Sequence, residues 1–256
     1  MSFFNLTEIP DEEIPIEQLQ RIEQRYSFSS TLAKNKDVLE IGCGPGLGSR
    51  LILDNAKSYL GIDIDNELIK IAKKNNPNIP FLVDDAINFF SKNNKKYDLI
   101  IIFETIYYIQ DLSKLFLKIY ENLKDNGLLL ICTANKNLLD FNPSPKTYIY
   151  PDIKNINMMC QNNFQVVELY GGVKLNSVSI RQKILRPIKF LASKINLIPK
   201  NMRNKKFLKK LFYGNSFLKM PSSIEYNSNI VSEINILNKN NTDTEHKVLY
   251  FLLKKK

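Results

Sequence analysis

The stretch that most constrains this chain is Val38-Leu39-Glu40-Ile41-Gly42-Cys43-Gly44-Pro45-Gly46-Leu47-Gly48. An apolar run closes on an acidic residue and three alternating glycines, and an amphipathic segment, Ser49 to Ala56, follows at once. This pattern predicts a buried parallel strand, a tight glycine turn and a helix whose N-terminus faces the turn. Glycine there lets backbone approach a ligand and adopt positive φ. At the carboxyl edge of a parallel sheet, that suits a nucleotide-like ligand. The spacing is neither the GxxxxGK[ST] of a phosphate-binding loop nor the GxGxxG of a dinucleotide site.

The rest of the chain repeats the strand-then-helix alternation. Ser58 to Asp63 reads as a second short strand ending in an acid, about twenty positions past the glycine turn, where a carboxylate can accept both hydroxyls of a ribose. Asp65 is explained as a helix N-cap, and Ile64 offers an apolar face beside Asp63. Ile79 to Val83 reads as a third strand closed by Asp84-Asp85-Ala86, paired acids that could also cap the next helix. Tyr97 to Glu104 is the clearest strand, its continuous apolar run implying burial on both faces. A helix over Leu112 to Leu123, a turn at Asp125-Asn126-Gly127 and a fifth strand over Leu128 to Ala134 complete the series.

Five such units predict a doubly wound α/β fold with right-handed crossovers. A helix over Asp152 to Asn163, a strand over Phe164 to Tyr170 and a last strand over Lys247 to Leu253 extend it to a mostly parallel seven-stranded sheet with helices on both faces. The expected organisation is an N-terminal helical cap (1–35), a core (36–174), a helical basic insertion (175–243) and the final strand (244–256).

The Glu-x-Gly-x-Gly-x-Gly order from Glu40 to Gly46, followed by Asp63, Asp85-Ala86 and Phe103-Glu104, resembles the ordered motifs of the Rossmann-like S-adenosylmethionine (SAM)-dependent methyltransferases. The resemblance covers about residues 36–172 and 244–253. It implies SAM as cofactor, held by Glu40, Gly42, Gly44, Gly46, Asp63, Ile64, Asp85, Ala86 and Phe103, with Asp85-Ala86 on the adenine amino group. Tyr26, on the helix before the first strand, reads as a core aromatic; alternatively that helix overlies the cofactor mouth and Tyr26 offers its hydroxyl there.

Many relatives carry a histidine after the fourth strand, where this chain has Tyr107 and Tyr108. Glu104, Tyr107 and Tyr108 are therefore the candidate catalytic residues, with aromatic packing an equally economical account of the tyrosines. The loop from Asn135 to Pro151, carrying Tyr148 and Tyr150, is the candidate substrate wall. The one histidine, His246, reads as a surface residue on an edge strand, able to act as a base only if its strand delivers it to the mouth.

Composition narrows the chemistry. One histidine and three unpatterned cysteines argue against a metal site or a Ser/His/Asp triad and fit a reducing, cytoplasmic setting. The N-terminus lacks signal-peptide order, and no apolar stretch suits a membrane span. The net charge of +10 lies in one place: Arg181 to Lys210 holds eleven Lys and Arg and no acid, and without them the remainder stands at −1.

That basic segment suits a small anionic acceptor, peripheral contact with an anionic membrane surface, RNA phosphates or plain solvation. No Asn/Asp-Pro-Pro-Tyr/Phe follows the fourth strand, which disfavours nucleic-acid base methylation. A leading Arg25-Tyr26, Glu104-x-x-Tyr107-Tyr108 and a Pro-Ser-Pro loop are similar to methyltransferases of bacterial surface sugars. This implies O-methylation of a carbohydrate, sugar nucleotide or phosphorylated metabolite in capsule or O-antigen assembly. The alternative is an RNA-directed methyltransferase or a non-catalytic SAM-binding module using the basic insertion.

Overall fold

The computed structural model describes residues 8–144, 146–160, 162–175 and 217–256. Strand β2 (Asp37–Ile41) is buried at every residue, and β3 (Ser58–Asp63), β4 (Phe81–Val83), β5 (Tyr97–Phe103) and β6 (Leu123–Ala134) lie parallel to it in the order β4-β3-β2-β5-β6. The crossovers run through α2 (Ser49–Leu53), α3 (Asn66–Asn75), α4 (Ala86–Lys92) and α5 (Leu112–Asn122). Strand order reverses direction at the β2–β5 junction, the crevice where ligands bind in open α/β sheets.

Each face of the sheet has its own core. Leu99, Ile101 and Phe103 of β5 pack with Ile22 and Tyr26 of α1 (Ile16–Leu32), Ile52 of α2 and Ile69 of α3. The alternate residues Ile100 and Ile102 pack with Phe89 of α4, Leu115 and Ile119 of α5, and Ile156 of α6 (Ile153–Cys160). Apolar residues on both faces of every central strand are what force helices onto both sides. Aspartates begin four of the described helices by accepting backbone N–H bonds: Asp65 from Glu67, Asp85 from Ile87 and Asn88, Asp111 from Lys114, and Asp152 from Asn155.

Several expectations are corrected. The main sheet has eight strands rather than seven, because β9 (Asn235–Ile236) pairs along the outside of β7 (Phe164–Lys174). The last strand, β10 (His246–Lys255), is not at an edge; it lies antiparallel between β6 and β7. The Asp125–Gly127 turn falls inside β6, where Asn126 takes φ 61° and the pairing with β5 shifts register.

The N-terminal region is one helix, α1, preceded by β1 (Glu13–Pro15). β1 pairs antiparallel with β8 (Phe217–Lys219) in a separate two-stranded sheet. The described part of the insertion thus supplies strands as well as the short helix α7 (Ser228–Ser232). The basic run 181–210, which carries the helical part expected of the insertion, lies outside the described residues. No helix of the described residues is long and apolar enough to cross a membrane.

Candidate active site

The glycine turn leaves β2 with its backbone pinned to β3: the N–H groups of Gly42 and Cys43 both donate to the Ile62 carbonyl, at 2.8 and 3.0 Å. Gly42 has φ +75°, and a Cβ there would lie 2.1 Å from Thr105 Oγ1, so no side chain fits. Gly44 has φ +55° and the opposite environment, with nothing within 4 Å of where its Cβ would be. The turn is crowded beneath and open above, the form of a cradle for a ligand brought against the backbone.

Asp63 ends β3 and braces the cradle. Its Oδ2 accepts from Gly44 N–H at 2.9 Å and its Oδ1 from Asp65 N–H at 2.9 Å. A carboxylate has about four lone-pair sites, so it retains capacity for a hydroxyl donor. Burial raises the Asp63 pKa, partly opposed by these backbone bonds. Beside it Ile64 is 54% exposed, and Leu82 and Val83 of β4 are exposed as well, an apolar surface at the strand ends. Asp85 spends Oδ1 on capping α4, and Ala86 is the first residue of that helix.

Glu40 lies beneath the turn and is buried. Tyr26 donates to its Oε1 at 2.8 Å and Tyr59 to its Oε2 at 2.5 Å. Burial pushes its pKa up to about 7, against the two hydroxyl donors and the Arg25 guanidinium, which lower it. Tyr26 therefore meets Glu40, not the open cradle, and its ring stands edge-on to Phe103 at 5.4 Å. Phe103 is buried packing below the mouth. Tyr59, an inward position of β3 in a run that reads simply as strand, was not legible as Glu40's second partner.

At the end of β5, Glu104 takes φ 50°, a conformation that costs a non-glycine residue of order 1–3 kcal/mol and that marks functional strand ends. Its carboxylate accepts from the Tyr107 hydroxyl at 3.0 Å. Burial raises its pKa, opposed by the guanidiniums of Arg25 and Arg21 and by the Tyr107 bond. Arg25 is buried and ion-paired with Glu8; nothing in the local sequence marks Glu8 as that partner. Burial also raises the Tyr107 and Tyr108 phenols, so both act as neutral hydroxyls near neutral pH.

The loop after β6 closes over these tyrosines. Tyr150 stacks on Tyr107 with ring centroids 4.2 Å apart, Phe141 stands edge-on to Tyr150, and Tyr148 N–H donates to the Tyr107 carbonyl at 2.8 Å. Tyr150 is buried and its hydroxyl accepts from Ser144 N–H, whereas Tyr148 is 60% exposed. Of the two tyrosines expected on the substrate wall, one builds the loop and one faces outward. His246 is buried, contrary to the surface position expected, because its strand is internal.

An open glycine cradle, a strand-end aspartate with unused lone pairs and exposed apolar residues beside it fit the ribose and base of an adenosyl group. The sheet order is that of a Rossmann-like α/β fold. The chain belongs to the methyltransferase-domain family, whose model matches residues 13–177.

Among curated relatives it is 34% identical over 128 residues to malonyl-[acyl-carrier protein] O-methyltransferase 1 of Ilyobacter polytropus, covering 47% of this chain and 46% of that one. It is 26% identical over 140 residues to the ubiquinone biosynthesis O-methyltransferase of Coxiella burnetii, covering 53% and 56%. The chain spans about half the length of these relatives. A SAM-dependent methyltransferase from Archaeoglobus fulgidus shares the fold with a TM-score of 0.58 at 15% identity, over 93% of this chain and 94% of that one. A Haemonchus contortus phosphoethanolamine N-methyltransferase does so with a TM-score of 0.56 at 14% identity, over 93% and 43%.

Proposed function

We propose that this chain transfers the methyl group of SAM to an oxygen of a small acidic acceptor. The observation that carries the reading is the strained Glu104 at the end of β5, next to the glycine cradle and roofed by Tyr107, Tyr108 and the loop bearing Tyr148. Both curated relatives named above are O-methyltransferases, which favours oxygen over nitrogen as the accepting atom.

In this reading Asp63 accepts the ribose hydroxyls, Gly42, Gly44 and Gly46 let the backbone lie against the cofactor, and Ile64 with Ala86 flanks the adenine. Asp85 meets the adenine amino group through the oxygen that its helix cap leaves unused. Glu40 acts one layer down, holding the turn through Tyr26 and Tyr59. SAM, when bound, supplies a methyl carbon on a sulfonium, so the C–S bond breaks as the O–C bond forms. Positioning of the accepting oxygen then supplies much of the rate. Glu104 orients that oxygen or takes its proton, with Tyr107 steering the carboxylate by its hydrogen bond.

The acceptor class rests on a narrower base. Surface-glycan sugars are the acceptor implied by the loop and motif resemblance, whereas the curated relatives are named for malonyl-[acyl-carrier protein] and for ubiquinone biosynthesis. Labelled SAM offered with sugar nucleotides, a malonyl thioester and phenolic acids in parallel decides among them. Label on an oxygen of one pool is the expected result. Tight SAM binding with no transfer to any of the three would sink the reading.

A further inference from the structure

His246 is the first residue of β10, and Val248, two positions on, pairs with Ala134 at the end of β6. The imidazole therefore stands at the carboxyl edge of the parallel strands, the edge that carries the glycine turn and Glu104. It is 3% exposed and held from one side. Asp243 Oδ2 lies 2.8 Å from Nδ1; a carboxylate only accepts, so Nδ1 carries the proton, and in the neutral ring Nε2 is a bare lone pair.

The orientation is built by several devices at once. Asp243 Oδ1 accepts from the N–H of His246 at 2.9 Å and from the Asn135 amide at 3.0 Å, and that amide also donates to the His246 carbonyl at 2.9 Å. Glycine at 171 makes room for the ring: a Cβ there would fall 2.3 Å from the imidazole Cγ. Yet Nε2, the atom these contacts aim, is buried with no partner among the described residues. Two residues linked to the same Asn135, by chain or by hydrogen bond, share that condition. Thr133 Oγ1, two residues before Asn135 on β6, is one. Asn137 Nδ2 is the other, in a residue whose N–H is bound to Asn135 Oδ1 at 3.0 Å. Buried polar atoms are ordinarily paired, and leaving three unpaired is costly unless something else pairs them.

We propose that His246 Nε2, Thr133 Oγ1 and Asn137 Nδ2 form the polar subsite for the methyl acceptor, and that the acceptor carries a hydroxyl beside a second oxygen, as in a vicinal diol, a catechol or a 2-hydroxy acid. The proposal rests on the O-methyltransferase reading. Nε2 accepts the hydroxyl proton's hydrogen bond, the Asn137 amide donates to the neighbouring oxygen, and the Thr133 hydroxyl serves either.

The chain has a single histidine, so ¹⁵N-histidine labelling of the full chain gives one imidazole to follow. The S-adenosylhomocysteine complex supplies the reference position of the Nε2 signal. Saturating glucose, catechol or malate should shift the Nε2 signal, and Thr133→Val should weaken that shift. His246→Asn keeps an amide nitrogen where Nδ1 was and leaves nothing at Nε2. It should raise the acceptor KM about tenfold or more, with S-adenosylhomocysteine affinity unchanged by calorimetry. An Nε2 signal that none of the three probes moves overturns the subsite. A shifted signal with no methylation of any oxygen keeps the subsite and removes the O-methyl reading; methylation of a probe that leaves Nε2 unmoved does the reverse.

Discussion

The Tyr26 hydroxyl donates to Glu40 Oε1 across 2.8 Å, tying the helix that precedes the sheet to the strand that leads into the glycine turn. Tyr59 donates to the other oxygen, so the buried carboxylate is clamped from two elements. Tyr26→Phe removes one donor while keeping the ring against Phe103. A hydrogen bond to a charged group contributes about 1.5–3 kcal/mol, and the lower half of that range is expected here because Glu40 is partly protonated near neutral pH. Urea unfolding checks this; a midpoint equal to wild type would show the clamp to be energetically idle.

Glu40 also sets a pH dependence. Its folded pKa is raised to about 7 from an ordinary value of 4.5, so the folded state binds more protons than the unfolded state between those values. Stability therefore falls as pH rises through that window, by about 1.4 kcal/mol per unit for one fully linked group. Asp63 and Glu104 are raised too and add to the same slope. Asp37, which Lys124 and Ser58 hold well below the usual range, acts only in more acidic solution and with the opposite sign. Thermal unfolding between pH 5 and pH 8 should show a falling Tm, and Glu40→Gln should flatten the fall. A Tm that climbs across this window contradicts the account.

Much of this site was legible in the sequence because the parallel strands β2 to β5 are short, mostly apolar runs that each end in or run into glycine or an acid. Glu40, Asp63, Asp85 and Glu104 could be placed at one edge from order alone. What could not be read depends on contacts between distant segments. Tyr59 and Tyr26 converge on Glu40 across the sheet, and Glu8 reaches Arg25 from 17 positions away. His246 looked peripheral because a last strand usually reads as an edge. Only the antiparallel insertion of β10 between β6 and β7, and a two-residue β9 too short to leave a pattern, reverse that view. Tyr150 could not be told from Tyr148 because adjacent loop tyrosines carry no periodicity.

Gly44 and Gly42 separate binding from folding. Gly44→Ala places a methyl in open space at φ +55°, costing about 1–2 kcal/mol for the left-handed backbone, while intruding on the cofactor side of the turn. The variant should fold and lose SAM affinity at least tenfold by calorimetry. Gly42→Ala drives a carbon into Thr105 and should unfold the domain or sharply lower its Tm. If Gly44→Ala bound SAM as wild type does, the open side of the turn would not be the cofactor side.

Asp63 needs a paired test because it holds both the turn and, in the proposed role, the ribose. Asp63→Ala removes the acceptor of Gly44 N–H and Asp65 N–H together. Asp63→Asn retains one acceptor oxygen and loses the charge. Loss of a charge-assisted pair is worth about 1.5–3 kcal/mol, so Asp63→Ala should weaken SAM binding about 10- to 100-fold, with Asp63→Asn intermediate. Titration calorimetry with SAM and with adenosine alone reads this directly. A loss for SAM with none for adenosine would move Asp63 away from the ribose.

Glu104 and Tyr107 give the most direct test of chemistry. The Tyr107 hydroxyl bond lowers the Glu104 pKa against the larger effect of burial, which raises it. Tyr107→Phe keeps the stack on Tyr150 and the Tyr148 contact with the Tyr107 carbonyl, since neither involves the hydroxyl. Its fold and Tm should therefore change little. The carboxyl loses a donor, so its pKa climbs further. If ionised Glu104 orients the accepting oxygen or takes its proton, the acidic limb of the kcat/KM profile moves to higher pH in Tyr107→Phe. In Glu104→Gln that limb disappears and the rate drops about 10²- to 10⁴-fold, the usual contribution of a positioned acid–base group. Unshifted profiles in both variants would leave Glu104 as a strained strand end with a purely structural part, and would turn attention to the loop that carries Tyr148.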